Sequence, residues 1–171
     1  MRCFIAVDIP EEIKKEIIKI QNMLPAFYGK KTEKENLHLT LKFLGEVDES
    51  TLIKIREKLG EIRLNQFQIE ISSLGMFADR IIWLDMKNCE KLQKEIDERL
   101  SDFFKPEERF MGHLTIARIR NLKDKRKFFG ELKKIKFAPK KFTVECFKLK
   151  KSTLTEQKPI YEDIKVYDLK I

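Results

Sequence analysis

The chain contains only two histidines, and both lie in the same tripeptide. His38 is part of NLHLTLKFLG and His113 is part of GHLTIARI, so Thr40 and Thr115 each follow a histidine by two positions. With 7 threonines among 171 residues, the chance that both histidines would be so followed is roughly 0.002. The repetition therefore indicates a shared chemical role for the two histidines.

Both tripeptides fall in segments where apolar and polar residues alternate, as in half-buried β-strands. In the first segment the leucines occupy one face, and the opposite face carries His38, Thr40 and Lys42. The second segment presents His113 and Thr115 together in the same way. Each strand is therefore predicted to display an imidazole and a hydroxyl side by side.

Two imidazoles and two hydroxyls suit displacement at phosphorus. In-line attack needs a base beside the nucleophile and an acid beside the leaving oxygen, and histidine can serve as either near neutral pH. Threonine hydroxyls donate to the non-bridging phosphate oxygens, where charge builds up. We therefore expect neither cofactor nor metal. A zinc site is the competing interpretation, but two histidines are too few ligands, and no Cys, Asp or Glu lies beside them on these faces.

The elements around the two tripeptides repeat along the chain. His113 follows His38 by 75 positions, and the same offset places FQIEISSL (67–74) on FTVECFKL (142–149), each predicted to form one strand. A small gap also brings AVDIPEEIKKEI beside WLDMKNCEKLQKEI. Chance similarity of amphipathic segments is the alternative to a true repeat.

We interpret the repeat as an internal duplication, with copies at about 1–79 and 80–171, inside one α+β domain. Each copy would contain three strands and two helices in alternation. A pseudo-twofold axis between two lobes would bring the two histidine strands face to face across a cleft.

Composition favours a polyanionic partner. The net charge is +8 and the sequence pI is about 9.3, and the stretches KDKRK (123–127) and KKIKFAPKK (133–141) are strongly basic. Both features fit RNA. The alternative is the solvated, Lys- and Glu-rich surface of a heat-adapted protein.

The remaining composition predicts the cellular setting. Cys3, Cys89 and Cys146 are far apart and form no Cys-x-x-Cys pair, so buried thiols in a reducing compartment are expected. No secretory signal pattern or membrane-spanning run is present. We expect a cytoplasmic monomer that does not associate with membranes.

The chain resembles the two-histidine (2H) phosphoesterases, and among them the RNA 2′,3′-cyclic phosphodiesterases, also called 2′-5′ RNA ligases. The resemblance covers nearly the whole length. It lies in MRCFIAVDIP, ENLHLTLKFLGEVDE, LGMFADRIIWL, HLTIAR and KSTLTEQKPIYEDI. Two positions depart from the pattern, because Gly112 and Ala78 stand where proline is usual.

The resemblance implies a bilobal fold with two antiparallel sheets and a V-shaped cleft. It implies hydrolysis of a 2′,3′-cyclic phosphate at an RNA end to a 2′-phosphate, with His38 as the proton donor and His113 as the proton acceptor. Some members also join tRNA halves through a 2′-5′ bond, reversibly and without ATP. Rival readings are another 2H activity, on a small cyclic nucleotide or oligoadenylate, and a non-catalytic RNA-binding module.

Several further residues are candidates for substrate binding. Lys42 lies on the predicted His38 face and is a candidate for attracting phosphate. On a regular strand Arg118 would face away from His113, where a buried ion pair or a sheet-edge role is the alternative. A phosphate contact would need a bulge between the two. Phe77 and Tyr161 are candidates for stacking a base, with core packing as the alternative. Ser152 matches a family-like position without an assigned role.

Overall fold

The computed structural model describes residues 1–171 and contains nine strands and four α-helices. The strands are β1 (Arg2–Asp8), β2 (Tyr28–Lys31), β3 (His38–Glu46), β4 (Phe67–Phe77), β5 (Ile81–Lys87), β6 (His113–Asn121), β7 (Lys140–Val144), β8 (Cys146–Leu154) and β9 (Pro159–Asp168). The helices are α1 (Glu11–Met23), α2 (Glu49–Gly60), α3 (Glu90–Arg99) and α4 (Lys125–Leu132). None of them has the length and apolar composition needed to span a bilayer.

The strands form two antiparallel sheets. The first sheet has the order β3-β1-β8-β9, and the second has the order β2-β6-β5-β4-β7. All neighbouring strands in both sheets run antiparallel. The predicted α+β class with two antiparallel sheets and flanking helices is confirmed.

Each sheet takes strands from both halves of the sequence. The order β3-β1-β8 in the first sheet is repeated as β6-β5-β4 in the second. Under the 75-residue offset β3 corresponds to β6, and the end of β4 corresponds to β8. The third strand of each half has therefore crossed into the sheet of the other half. The division near residue 79 remains a prediction about sequence repeats, and neither half builds a lobe by itself.

The segment FTVECFKL is two strands, which corrects the prediction of one. β7 pairs with β4 in the second sheet, whereas β8 pairs with β1 in the first. The buried side chains are Phe142 and Val144 before Glu145, and Phe147 and Leu149 after it. This change from even to odd positions shows that the inward face switches at Glu145, where the chain passes from one sheet to the other.

The helices and sheets share one core. Thirty-seven buried residues form a single apolar cluster that includes residues from both sheets and all four helices. Ile13, Ile17 and Ile20 are the buried stripe of α1, at the spacing expected for one helix face. Helix α1 packs against β6, and α3 packs against β3. The lobes are therefore held together by helices as well as by the exchanged strands.

Candidate active site

Strands β3 and β6 carry the same irregularity at the same position. In the pairing of β1 with β3, Ala6 faces Thr40 and Ile5 faces Lys42, so Leu41 is an extra residue. In the pairing of β5 with β6, Thr115 faces Trp83 and Ala117 faces Ile82, so Ile116 is an extra residue. Such a bulge interrupts the alternation of side chains between the two faces of a strand. The residues after each bulge therefore point opposite to the simple prediction.

Lys42 consequently faces the core, which corrects its predicted place beside His38. Its side chain is 3 % exposed. The ammonium donates to Asp97 Oδ1 at 2.5 Å and to the carbonyl of Lys105 at 2.8 Å. Asp97 also accepts from Gln93 Nε2 and from the amide of Glu107, each at 2.8 Å. Lys42 is thus a buried structural cation outside the cleft.

Arg118 turns the opposite way, into the cleft. The bulge at Ile116 turns its side chain to the face of His113 and Thr115, where it is exposed and lines the cleft. Phe43 holds the corresponding position in β3, is 70 % exposed, and also lines the cleft. Arg118 would face away from His113 only on a regular strand. The bulge that a phosphate contact requires is present, and a role of Arg118 in binding phosphate stays a prediction.

The two imidazoles are held in the same way. Nδ1 of His38 lies 2.7 Å from the carbonyl oxygen of Asn36, and Nδ1 of His113 lies 2.8 Å from that of Met111. Because a carbonyl oxygen only accepts, Nδ1 carries the hydrogen in both rings. Nε2 is then the atom available for proton transfer. The Nε2 atom of His38 lies 2.9 Å from Thr40 Oγ1.

Aromatic rings fix the planes of both histidines. His38 contacts Phe4 and Tyr161, each with ring centroids 5.1 Å away. His113 contacts Phe77 at 5.1 Å in a nearly perpendicular arrangement. Tyr161 lines the cleft, whereas Phe77 supports His113 from outside the cleft lining. Of the two predicted stacking residues, only Tyr161 therefore presents a surface to the cleft.

Burial is the main influence on the protonation of His38. It lowers the pKa of His38 to about 4, against a smaller opposing effect of the hydrogen bond to Asn36. The nearby Lys150 lowers the pKa further, while Asp8 raises it. In the free protein at neutral pH, His38 is therefore an uncharged base with a lone pair on Nε2.

A compact charge cluster stands behind His38. Lys148 and Lys150 each contact both Asp8 and Asp163, with distances between 2.7 and 2.9 Å. Desolvation opposes ionisation of the carboxylates, but the hydrogen bonds from the lysines outweigh it and lower the pKa of Asp8 and of Asp163. Asp8 is the cross-strand partner of His38, so this cluster fixes the strand beside the imidazole.

The two histidine strands meet at one cleft of about 640 Å³ between the sheets. His38, Thr40, His113 and Thr115 all line it, as predicted from their spacing. So do Ser152 and five cationic residues, which are Arg2, Lys30, Lys31, Arg118 and Lys158. Sequence reasoning missed Phe43 and Lys30; the 75-residue offset from Arg118 could have pointed to Phe43.

The turn between β8 and β9 bridges the mouth of the cleft. Lys30 Nζ of β2 donates to the carbonyl of Gln157 at 2.9 Å, and Asn36 Nδ2 donates to that of Pro159 at 3.1 Å. Lys158 forms an ion pair with Glu35. The first sheet thus contacts the second directly across the opening, which fixes the width of the cleft.

The two departures from the expected family pattern have local causes. A Cβ atom on Gly112 would lie 2.3 Å from Cys89 Sγ and 2.5 Å from the carbonyl oxygen of Met86, so no side chain fits there. Ala78 has a φ of 48° in the turn between β4 and β5. Proline cannot adopt that angle, since its ring fixes φ near about −65°.

No three side chains of His, Cys, Asp or Glu lie close enough together to hold one metal ion. Two His-x-Thr strands on opposite sides of one cleft, in a pair of antiparallel sheets, define a two-histidine phosphoesterase. The chain belongs to the family of LigT-like phosphoesterases, which it matches twice, over residues 7–83 and 85–161.

Known relatives share this organisation over the whole chain. The RNA 2′,3′-cyclic phosphodiesterase of Methanocaldococcus jannaschii is 42 % identical, over 96 % of this chain and 99 % of its own length. The enzyme of the same name from Thermotoga maritima is 36 % identical, over 95 % and 92 %. The crystal structure of Escherichia coli LigT in apo form covers 99 % of this chain and 98 % of its own, with a TM-score of 0.82 and 24 % identity. This last likeness concerns the fold.

Proposed function

We propose that the chain hydrolyses 2′,3′-cyclic phosphate ends of RNA to 2′-phosphates. The observation that carries the proposal is the pair of imidazoles that face one cleft. Each has its Nδ1 hydrogen-bonded to the backbone carbonyl two residues earlier. The names of the M. jannaschii and T. maritima relatives support the choice of substrate.

The proposed reaction is a single in-line displacement at phosphorus. One histidine takes a proton from water as the water oxygen bonds to phosphorus. The bond from phosphorus to the 3′-oxygen breaks, and the other histidine protonates that oxygen. The products are a 2′-phosphate and a 3′-hydroxyl. Thr40, Thr115 and Arg118 donate hydrogen bonds to the non-bridging oxygens, where negative charge increases.

We assign His38 as the acid and His113 as the base. An acid must be protonated before the step, and the pKa of His38 is about 4 in the free chain. The assignment therefore requires the anionic phosphate to raise the pKa of His38 on binding, as a nearby negative charge does. If binding does not raise that pKa enough, the two roles are exchanged.

An RNA end is favoured over a small cyclic nucleotide as the substrate. Four cations line the cleft besides Arg118, namely Arg2, Lys30, Lys31 and Lys158. A single cyclic phosphate carries one negative charge, so further phosphates of a strand are the natural partners for Arg2 and Lys31. Lys158 and Lys30 already contact Glu35 and the carbonyl of Gln157. Joining of tRNA halves by a 2′-5′ bond is the same displacement with the 5′-hydroxyl of the second half in place of water as the nucleophile, and the 3′-oxygen leaves as before.

The experiment is an assay in EDTA with an oligonucleotide that ends in a 2′,3′-cyclic phosphate, with the product isomers resolved. We expect full activity and only the 2′-phosphate, since the proposed mechanism uses side chains alone. Loss of activity on chelation and its recovery with zinc or magnesium would contradict the metal-independent mechanism.

Two further substrates in the same assay separate the rival activities. Preference for a mononucleotide 2′,3′-cyclic phosphate or for oligoadenylate would support another 2H activity. Binding of RNA without turnover would support a binding module. A 5′-hydroxyl tRNA half added in excess tests ligation, through the appearance of a joined product.

A further inference from the structure

The carbonyl oxygen of Ile116, the bulge residue of β6, accepts a hydrogen bond from a helix outside its sheet. Gln21 of α1 is only 4 % exposed, and its Nε2 donates to the carbonyl oxygen of Ile116 at 2.9 Å and to that of Thr32 at 3.0 Å. The amide of Thr32 donates to the same Ile116 oxygen at 2.9 Å. Both lone pairs of the bulge carbonyl are therefore satisfied by protein donors.

The residues on either side of Ile116 in β6 contact β2 and Thr32, which directly follows β2. Thr32 Oγ1 donates to the carbonyl oxygen of Thr115 at 2.9 Å. Gly29 of β2 approaches Arg118 so closely that a Cβ atom there would lie 2.1 Å from the Arg118 carbonyl oxygen. The backbone from Thr115 to Arg118 is thus fixed on the side away from β5.

The extra residue at Ile116 determines which face of β6 Arg118 occupies. A regular strand would place Arg118 opposite to His113 and Thr115, and the extra residue at Ile116 places it on their side. The carbonyl of this extra residue already accepts from the amide of Thr32, which follows β2, and its second lone pair needs a further donor. The side chain of Gln21 supplies one from a position buried under the sheet.

We propose that Gln21 is a positioning residue, which holds the β6 bulge and thereby keeps Arg118 aimed at the phosphate in the cleft. The inference rests on the proposed function for its effect on turnover. Its effect on binding of inorganic phosphate does not depend on catalysis, so the two claims are tested separately.

The main test is a double-mutant cycle between Gln21→Met and Arg118→Ala. Methionine keeps the length of glutamine and removes the donor. We expect Gln21→Met to lower kcat/KM on the cyclic-phosphate oligonucleotide by about 10–100-fold, because small misplacements of binding groups have effects of that size. In the Arg118→Ala background the same change should alter kcat/KM by less than about threefold, since its target is gone.

Gln93→Met provides the matched control. Gln93 is a buried glutamine of α3, 5 % exposed, and its Nε2 donates to Asp97 instead of to a strand carbonyl. Its effect should be the same in both Arg118 backgrounds. An equal fold-loss for Gln21→Met with and without Arg118 would overturn the proposal, because it would show a general structural role.

Inorganic phosphate serves as the probe for the second measurement, by calorimetric titration of the same four proteins. Weaker phosphate binding in Gln21→Met that vanishes in the Arg118→Ala background supports the proposal even if the wild-type chain lacks turnover. Unchanged phosphate binding in Gln21→Met overturns it. If Gln21→Met does not fold, the cycle is run with Gln21→Asn, which keeps the amide but shortens its reach to the Ile116 carbonyl, and additivity there is equally decisive.

Discussion

The imidazoles of His38 and His113 owe their orientation to the backbone. In each case a carbonyl two residues earlier accepts from Nδ1, so any residue at position 36 or 111 can supply the acceptor. Only the histidine and the threonine two positions later then need to be specific residue types. This explains why the motif is short and why it can recur in two strands with otherwise different neighbours.

The first prediction concerns the joint action of the two histidines. His38→Ala and His113→Ala should each lower kcat by several orders of magnitude, and the double variant should be little worse than either, since residues that act as a unit are not additive. Steady-state and single-turnover rates on the cyclic-phosphate oligonucleotide measure this. Thr143→Ala, an exposed threonine of β7, is the control. Wild-type rates in either single variant would remove that histidine from the mechanism.

The second prediction separates the acid from the base. A substrate with sulfur in place of the 3′-leaving oxygen needs little protonation as it departs. It should therefore restore turnover to His38→Ala and leave His113→Ala inactive, if the roles are as proposed. The reverse pattern would exchange the roles, in agreement with the low pKa of His38 in the free chain.

The third prediction is a pH effect on stability from His38. Its pKa is about 4 in the folded chain and about 6.5 when unfolded. The unfolded chain therefore binds the proton first as the pH falls, and folding loses up to about 3 kcal/mol between pH 6.5 and 4. Urea unfolding of wild type and His38→Gln at pH 7 and pH 4 tests this. The variant should lose less stability than wild type, and an equal loss would contradict the shift.

At this scale the sequence predicted His38, Thr40, His113 and Thr115 in one cleft, because alternation is reliable over three residues. It misplaced Lys42 and left the face of Arg118 dependent on a bulge; both residues lie just past the two bulges. A bulge depends on which backbone groups find partners, such as Ile116 with Gln21, 95 positions away. Local alternation contains no information about such a partner.

At the scale of elements, the two histidine strands are braced differently. The bulge in β6 is held through its backbone by Gln21, whereas β3 is anchored through the side chain of Lys42 to Asp97 of α3. In both cases the brace comes from the helix of the other sequence half. Both predicted helices are in place, but their crossing to the opposite strand follows from the exchanged topology, which helical periodicity does not encode.

The fourth prediction concerns the buried pair. Lys42→Met should lower the free energy of unfolding by about 3 kcal/mol, because it leaves the Asp97 carboxylate buried without its counter-ion. Burial tends to raise the pKa of Asp97, but the hydrogen bonds from Lys42, the Glu107 amide and Gln93 together outweigh it and lower the pKa. Denaturant unfolding at pH 7 is the measurement. Lys54→Met on the exposed face of α2 is the control, and equal values for the two variants would contradict the buried ion pair.

For the whole molecule, the positive charge predicts how binding responds to salt. The fifth prediction is that KM for an RNA end rises steeply between about 50 and 200 mM salt while kcat changes little, because bound counterions are released only on association. Kinetics at several salt concentrations measure the slope. A matched dinucleotide should show a smaller slope, and a KM insensitive to salt would favour a small nucleotide substrate.

The exchange of the third strands between the sheets determines when, during synthesis on the ribosome, the enzyme can complete its fold. All strands of the second sheet have been synthesised once β7 is complete. In the first sheet, β1 has β3 on one side but has no neighbour on the other side until β8 has been made, nearly the whole sequence later. A nascent chain that stops at Glu145 already contains both histidines, yet one edge of β1 is still unpaired. Such an edge is a template for other chains. We therefore expect activity to appear in one late step of translation, and stalled chains to depend on chaperones.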